Sequence, residues 1–124
     1  MSVVGRLLIF YAVSFAFAAG AGDGHWKTRV PERDRVRENP VVADKESIPA
    51  GAKLFHQYCA SCHGSDARGR GRRPDLHSDQ VREATPGELE WLLRNGSLKN
   101  GMPSWSRLPE PQRWQLVTFL KAMS

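Results

Sequence analysis

Gly51-Ala-Lys-Leu-Phe-His-Gln-Tyr-Cys59-Ala-Ser-Cys62-His63-Gly64 is the stretch on which the reading of this chain turns. Its first half predicts a helix over about residues 49–59. Pro49 suits a first helical turn, with Ser47 just before it. Leu54, Phe55 and Tyr58 fall at i, i+1 and i+4 and so share an apolar face. The helix therefore delivers two thiols, Cys59 and Cys62, three residues apart, with an imidazole, His63, next in line.

A C-x-x-C-H run reads as covalent attachment of a c-type haem. Two thiols on one helical turn reach the two vinyl groups on one porphyrin edge. The adjacent imidazole then lies under the iron as proximal ligand, and axial ligands are a main lever on haem potential. The competing readings ask for residues the chain lacks. A zinc site takes two more ligands at metal spacing, yet there is no third Cys, and His25, His56 and His77 are scattered. A thioredoxin-like C-x-x-C sits in a βαβ setting, and no stretch shows the two-residue alternation of a strand. A plain disulfide is the remaining alternative.

Outward from the motif, two more helices can be placed. Thr85-Pro-Gly-Glu88 is a capping box with Pro at the first helical position. It opens a helix over about residues 86–94, with Leu89, Leu92 and Leu93 as its stripe and Asn95-Gly96 as its stop. Over about residues 111–122, Trp114, Val117 and Leu120, flanked by Leu116, Phe119 and Met123, make a wide apolar face. The fold class is all-α: three to five short helices joined by long Gly- and Pro-bearing loops. Loops that long in a compact domain usually wrap something.

The full chain has 124 residues, enough for one small domain. Residues 1–22 read as an export signal: Arg6, then the apolar run Leu-Leu-Ile-Phe-Tyr-Ala-Val-Ser-Phe-Ala-Phe-Ala-Ala from Leu7 to Ala19, then small residues. The apolar run is shorter than the roughly 20 residues a bilayer span needs, so no stable span is expected after cleavage, and the destination is the bacterial periplasm. Residues 23–45 carry six basic and five acidic side chains and two prolines, Pro31 and Pro40. They read as an extended charged tail, either solvated or packed on the domain through Val41 and Val42. The domain proper is 46–124. A core of about 80 residues is marginal without a disulfide framework, a metal or a cofactor, and two Cys make no framework. A multidomain enzyme and a disulfide-rich scaffold are thereby excluded. The net charge of +5 is spread along the chain. It forms no basic stripe with interleaved aromatics, so no nucleic-acid partner is expected. Arg68, Arg70, Arg72 and Arg73 are the one basic cluster.

At this point the chain resembles a family. Gly51 to Gly64, the Pro74-Asp75-Leu76 loop, Gly101-Met102-Pro103 and Trp114-x-Leu116-Val117-x-Phe119-Leu120 are similar to the class I monohaem c-type cytochromes, over about residues 46–124. Leu89-x-Trp91-Leu-Leu-Arg94-Asn95-Gly96 followed by Met102-Pro103-x-Trp105 looks like their bacterial periplasmic members, which include subunits of quinoprotein dehydrogenases and terminal oxidases. The resemblance implies a cytochrome c fold around one haem c (iron), tethered through Cys59 and Cys62. It implies that the Pro74 carbonyl accepts a hydrogen bond from His63 and that Leu76 packs on the ring. It places Gly51, Phe55, Leu116 and Phe119 where the first and last helices cross.

The sixth ligand is expected to be Met102. It lies in a Gly-Met-Pro turn 39 residues after His63, and a loop can set a thioether on the far face of a flat group. Met1 leaves with the signal and Met123 reads as core. His77 is the rival, and an open iron, suited to gas binding or peroxide chemistry, is the third alternative. Arg94, Trp91 and Trp105 are candidates for the cofactor's edge, where an Arg or an indole N–H could pair with a propionate; packing and solvation are the alternative. The chain offers no acid, base or nucleophile constellation. The expected function is one-electron transfer with His63/Met102 ligation, between a redox protein donor and acceptor. A subunit of a larger dehydrogenase or oxidase complex is the second reading.

Overall fold

A computed structural model describes residues 25–124. The expected export signal at 1–22 lies outside the described residues. Among the described residues there are six α-helices and no strand: α1 (Glu32–Arg35), α2 (Ser47–Tyr58), α3 (Ala60–His63), α4 (Asp79–Glu83), α5 (Pro86–Asn95) and α6 (Glu110–Met123). Single 3-10 turns lie at His25–Arg29 and Leu98–Asn100. The all-α expectation holds, and the three long helices match those read from periodicity.

Local chemistry accounts for the helix ends. The capping box of α5 forms on both sides. Glu88 N–H donates to Thr85 Oγ1 at 3.1 Å, and Thr85 N–H donates to the Glu88 carboxylate at 3.0 Å. α2 starts earlier than expected because Asp44 organises the turn ahead of it. The Asp44 carboxylate accepts from the N–H groups of Glu46 (2.8 Å) and Ser47 (2.7 Å). Those bonds, that from Ser47 first, also hold its carboxyl below the usual range. α4 was not expected: its single buried apolar residue, Val81, sets no period.

α2 crosses α6, and the crossing depends on Gly51. A Cβ there would sit 2.2 Å from the Gln115 carbonyl oxygen and 2.8 Å from Phe119 Cβ. Phe55 fills the space one turn on, its ring 5.3 Å from that of Phe119. Around this contact Leu89, Leu93, Trp114, Leu116 and Val117 complete the core.

The expectation of an extended tail at 23–45 needs correcting. From residue 25 on, this stretch folds into a 3-10 turn and α1 and straps itself across α5. A Cβ on Gly87 would lie 2.0 Å from the Asp34 carbonyl oxygen, so the strap backbone rests directly on α5. Val30 and Asp34 are buried. Arg35 pairs with Glu88 at 2.5 Å and Arg94 with Asp34 at 2.5 Å. Glu90, wholly buried, is held by Arg113 at 2.8 Å, Arg37 at 3.1 Å and Arg94 at 3.4 Å. The alternating charges are thus partners of α5 and α6. Val41 does pack against the core, whereas Val42 is exposed.

Candidate cofactor site

The two thiols stand one turn apart at the junction of α2 and α3. Cys59 caps α2, its N–H bonded to the Phe55 carbonyl at 2.8 Å; Cys62 N–H and His63 N–H both return to the Cys59 carbonyl, at 3.1 and 3.0 Å. Both thiols are free and half-buried. Burial, and secondarily the neighbouring Cys62, push the Cys59 thiol up to about 11, so it stays protonated at neutral pH.

Gly64, with φ +83°, turns the chain out of α3 into a loop that returns to His63. Gly69 N–H donates to the His63 carbonyl at 2.7 Å, and Leu76 N–H to the Ala67 carbonyl at 2.9 Å. The loop brings the Pro74 carbonyl to 3.1 Å from His63 Nδ1. With the N–H on Nδ1 donating to that carbonyl, the lone pair is left on Nε2. Burial holds the imidazole below its ordinary value, the Pro74 bond opposes this, and the Arg73 charge adds to it. The ring is therefore neutral near pH 7 and has a nitrogen free to bind a metal.

Met102 is held by the end of α5. Ser97 and Met102 exchange both backbone hydrogen bonds, at 2.9 and 3.0 Å. Gly96 has φ +70° and lies so close to Pro103 that a Cβ would come within 2.6 Å of its backbone. Trp105 N–H donates to the Leu93 carbonyl at 2.8 Å, and Ser104 Oγ to the Arg94 carbonyl at 2.6 Å. Sequence reasoning took Gly96 as a helix stop; it is also the point where the methionine loop is fastened.

Cys59, Leu76, Met102 and Trp105, with Leu54 and Tyr58, are half-buried and lean on one core. Tyr58 and Trp105 touch, ring centroids 5.5 Å apart. Several large apolar side chains that share a core but stay partly uncovered suit a broad, flat apolar group. The donor set of two thiols, a neutral imidazole and a thioether suits a haem c. The residues present therefore fit such a group.

Other expectations change. Arg94 is paired with Asp34 and Glu90, so its company is the strap and its own helix. Its Nε is buried without a hydrogen-bond partner, the Glu90 contact at 3.4 Å lacking hydrogen-bond geometry. Trp91 is half-buried and stands outside the core cluster that holds Trp105. His77 Nδ1 lies 3.1 Å from the Met123 carbonyl and Nε2 3.0 Å from the Asp66 carbonyl. With a protein acceptor at each ring nitrogen, His77 is poorly placed as a metal ligand.

Residues 46–120 match the family model described as cytochrome c oxidase, cbb3-type, subunit III. The chain is 32% identical over 106 residues to the quinohemoprotein alcohol dehydrogenase ADH-IIG of Pseudomonas putida, covering 83% of this chain and 14% of that protein. It is 26% identical over 105 residues to cytochrome c550 of Pseudomonas aeruginosa, covering 79% of this chain and 67% of that one. It is 37% identical over 78 residues to the cbb3-type cytochrome c oxidase subunit FixP of Rhizobium etli, covering 60% of this chain and 27% of that subunit. The chain thus spans a small fraction of the dehydrogenase and the oxidase subunit. No helix among the described residues is long and apolar enough to cross a membrane.

Proposed function

Because the chain belongs to the c-type cytochrome domains described as cytochrome c oxidase, cbb3-type, subunit III, we propose that it holds one haem c through Cys59 and Cys62, with His63 and Met102 as axial ligands. Membership makes the chain an electron carrier rather than an enzyme. Bound there, the haem supplies an iron that gains and loses a single electron.

The side chains have separate tasks. Cys59 and Cys62 tether, so the group cannot leave with its electron. His63 offers Nε2, its ring orientation fixed by the Pro74 carbonyl, as outer partners fix ligands at other metal sites. Met102 offers a thioether from a loop laced to α5, and a sulfur ligand in that position raises the potential relative to a second imidazole. Leu76, Tyr58 and Trp105 exclude water from the apolar face. The single observation that carries the reading is the 3.1 Å bond from His63 Nδ1 to Pro74, which aims a neutral imidazole beside two free thiols.

A reduced-minus-oxidised visible spectrum taken through a redox titration tests this. A haem-c spectrum, with colour kept after acid acetone, is expected; colourless protein overturns the reading. We further propose that residues 1–22 export the chain to the periplasm and that the haem-binding unit from residue 46 on is closed by the strap that precedes it. The similarity to a quinohemoprotein dehydrogenase and to cbb3 oxidase subunits favours a partner of one of those two classes, with the chain a free carrier or a subunit of the complex. A stable complex would elute with its partner after gentle purification, and a carrier would elute alone.

A further inference from the structure

A loop holds a metal ligand only as firmly as the loop itself is held, and Met102 is proposed to act from a loop. Its fastenings all lie at the end of α5. Ser97 and Met102 exchange backbone hydrogen bonds, the Leu93 carbonyl accepts from Trp105 N–H, and the Arg94 carbonyl accepts from Ser104 Oγ. The last turn of α5 is therefore the floor on which the methionine loop rests. The strap grips that same turn. Buried Asp34 takes the Arg94 guanidinium at 2.5 Å. Arg29 Nη2 reaches the Oγ of buried Ser97 at 3.5 Å, and Asn100 Nδ2, just ahead of Met102, donates to the same oxygen at 2.9 Å.

Asp34 is not interchangeable with the other carboxylate near Arg94. The Glu90 contact, at 3.4 Å, leaves Arg94 Nε buried without a hydrogen-bond partner, and Glu90 is shared with Arg37 and Arg113. Asp34 supplies the bond that fixes the guanidinium, and with it the residue whose carbonyl holds Ser104. The strap precedes residue 46 and so lies outside the stretch matched to the family model; the matched domain alone does not supply this fastening. From this juxtaposition we infer that Asp34 and Arg29 are positioning residues for the sixth ligand: the strap clamps the last turn of α5 and thereby keeps Met102 seated. The inference rests on the haem reading above and adds to it what holds the thioether in place.

Competition by imidazole for the ferric iron of the holoprotein tests it. The imidazole nitrogen takes the place of the Met102 sulfur, no electron moves, and the exchange is read as loss of the far-red sulfur-to-iron band. Such a competitor binds the fraction of molecules whose methionine loop has let go, so its apparent affinity rises with that fraction. Losing a hydrogen bond to a charged group shifts an equilibrium of this kind by roughly 10-fold. Asp34→Asn should therefore bind imidazole about 10-fold more tightly than the native protein. Asn39→Ala is the control, because it frees the strap from Thr118 of α6, a 2.8 Å bond, without touching α5. It should lower the melting temperature and leave the imidazole affinity unchanged. An unchanged or weaker affinity in Asp34→Asn would overturn the inference. Equal gains in both variants would do the same, by making the effect one of general destabilisation. Where Asp34→Asn yields no folded holoprotein, Arg29→Gln, a change at an exposed residue, decides in its place, with a gain of about 3-fold expected. A native holoprotein without the far-red band removes Met102 from the iron and this inference with it. A native band that the variants leave untouched overturns the inference and leaves the haem reading standing.

Discussion

At the residue scale, the two proposed ligands depend differently on their surroundings. Met102 works through position alone, so Met102→Ala should keep the covalent haem and lose the thioether. The reduction potential should fall by at least about 0.1 V, within the roughly 0.8 V that axial ligands span, and the reduced protein should gain carbon monoxide binding. An unchanged potential would remove Met102 from the iron. His63 is different because burial lowers its pKa in the fold from the ordinary 6.5. A depressed value means the unfolded chain binds the proton first. The contribution of this group to stability is therefore complete above about pH 6.5 and is lost as pH falls from there through the lower folded value. In the haem-loaded protein a ligand bond at Nε2 would add to that preference for the unprotonated ring, so denaturant midpoints of the holoprotein should drop as pH falls from 8 to 4, and a midpoint that stays constant over that range would show that His63 takes up no proton on unfolding. Cys59, Cys62 and His63 were legible in the sequence because their chemistry lies in one pentapeptide. The pairing of Arg94 with Asp34 was not legible because the two lie 60 residues apart, with Asp34 in a stretch that has no pattern of its own.

At the element scale, two contacts decide how the helices stand. The first is the α2–α6 crossing. Gly51→Ala puts a methyl where the Gln115 carbonyl lies, and overpacking of this kind costs about 1–3 kcal/mol. The melting temperature should fall by several degrees while the visible spectrum stays that of the native protein. An unchanged melting temperature would mean that the helices do not cross at this glycine. The second is the clamp of strap and α6 on Glu90. Glu90→Gln leaves Arg113 buried without its countercharge, and breaking a buried pair costs about 3–5 kcal/mol. Arg37 and Arg94 remain partly in water, so a loss near about 3 kcal/mol in denaturant unfolding is expected, and a neutral result would show that the cluster is solvated. Helix existence was legible wherever an apolar period ran for three turns, as in α2, α5 and α6. α1 and α4 are one turn long, and no periodicity fits inside one turn. The strap was unreadable for a different reason: beside the isolated apolar contacts of Trp26, Val30 and Val41 it is held by ion pairs and a backbone contact at Gly87, and these leave no hydrophobic period.

At the scale of the whole molecule, the open matter is what completes the core. Among the described residues, eleven buried hydrophobic residues form a single cluster, and Leu54, Tyr58, Leu76, Met102, Trp105 and others lean on it half-buried. Fully covering one large apolar side chain is worth about 1.5–3 kcal/mol, so leaving several of them partly wet forfeits several kcal/mol. A domain of this size has only about 5–15 kcal/mol of net stability. The uncovered rim is therefore comparable to the whole margin, and the strap, which covers α5, does not relieve it. The proposed covalent tether would then have a second consequence besides retention: it would keep the missing part of the core from dissociating, so that folding and cofactor loading become one event. A Cys59→Ala, Cys62→Ala chain produced without haem should be largely unfolded, with a weak far-UV circular dichroism signal and no cooperative thermal transition. Native-like dichroism with a sharp transition from that variant would mean that α2, α5, α6 and the strap suffice alone, and that the haem occupies a fold it does not build.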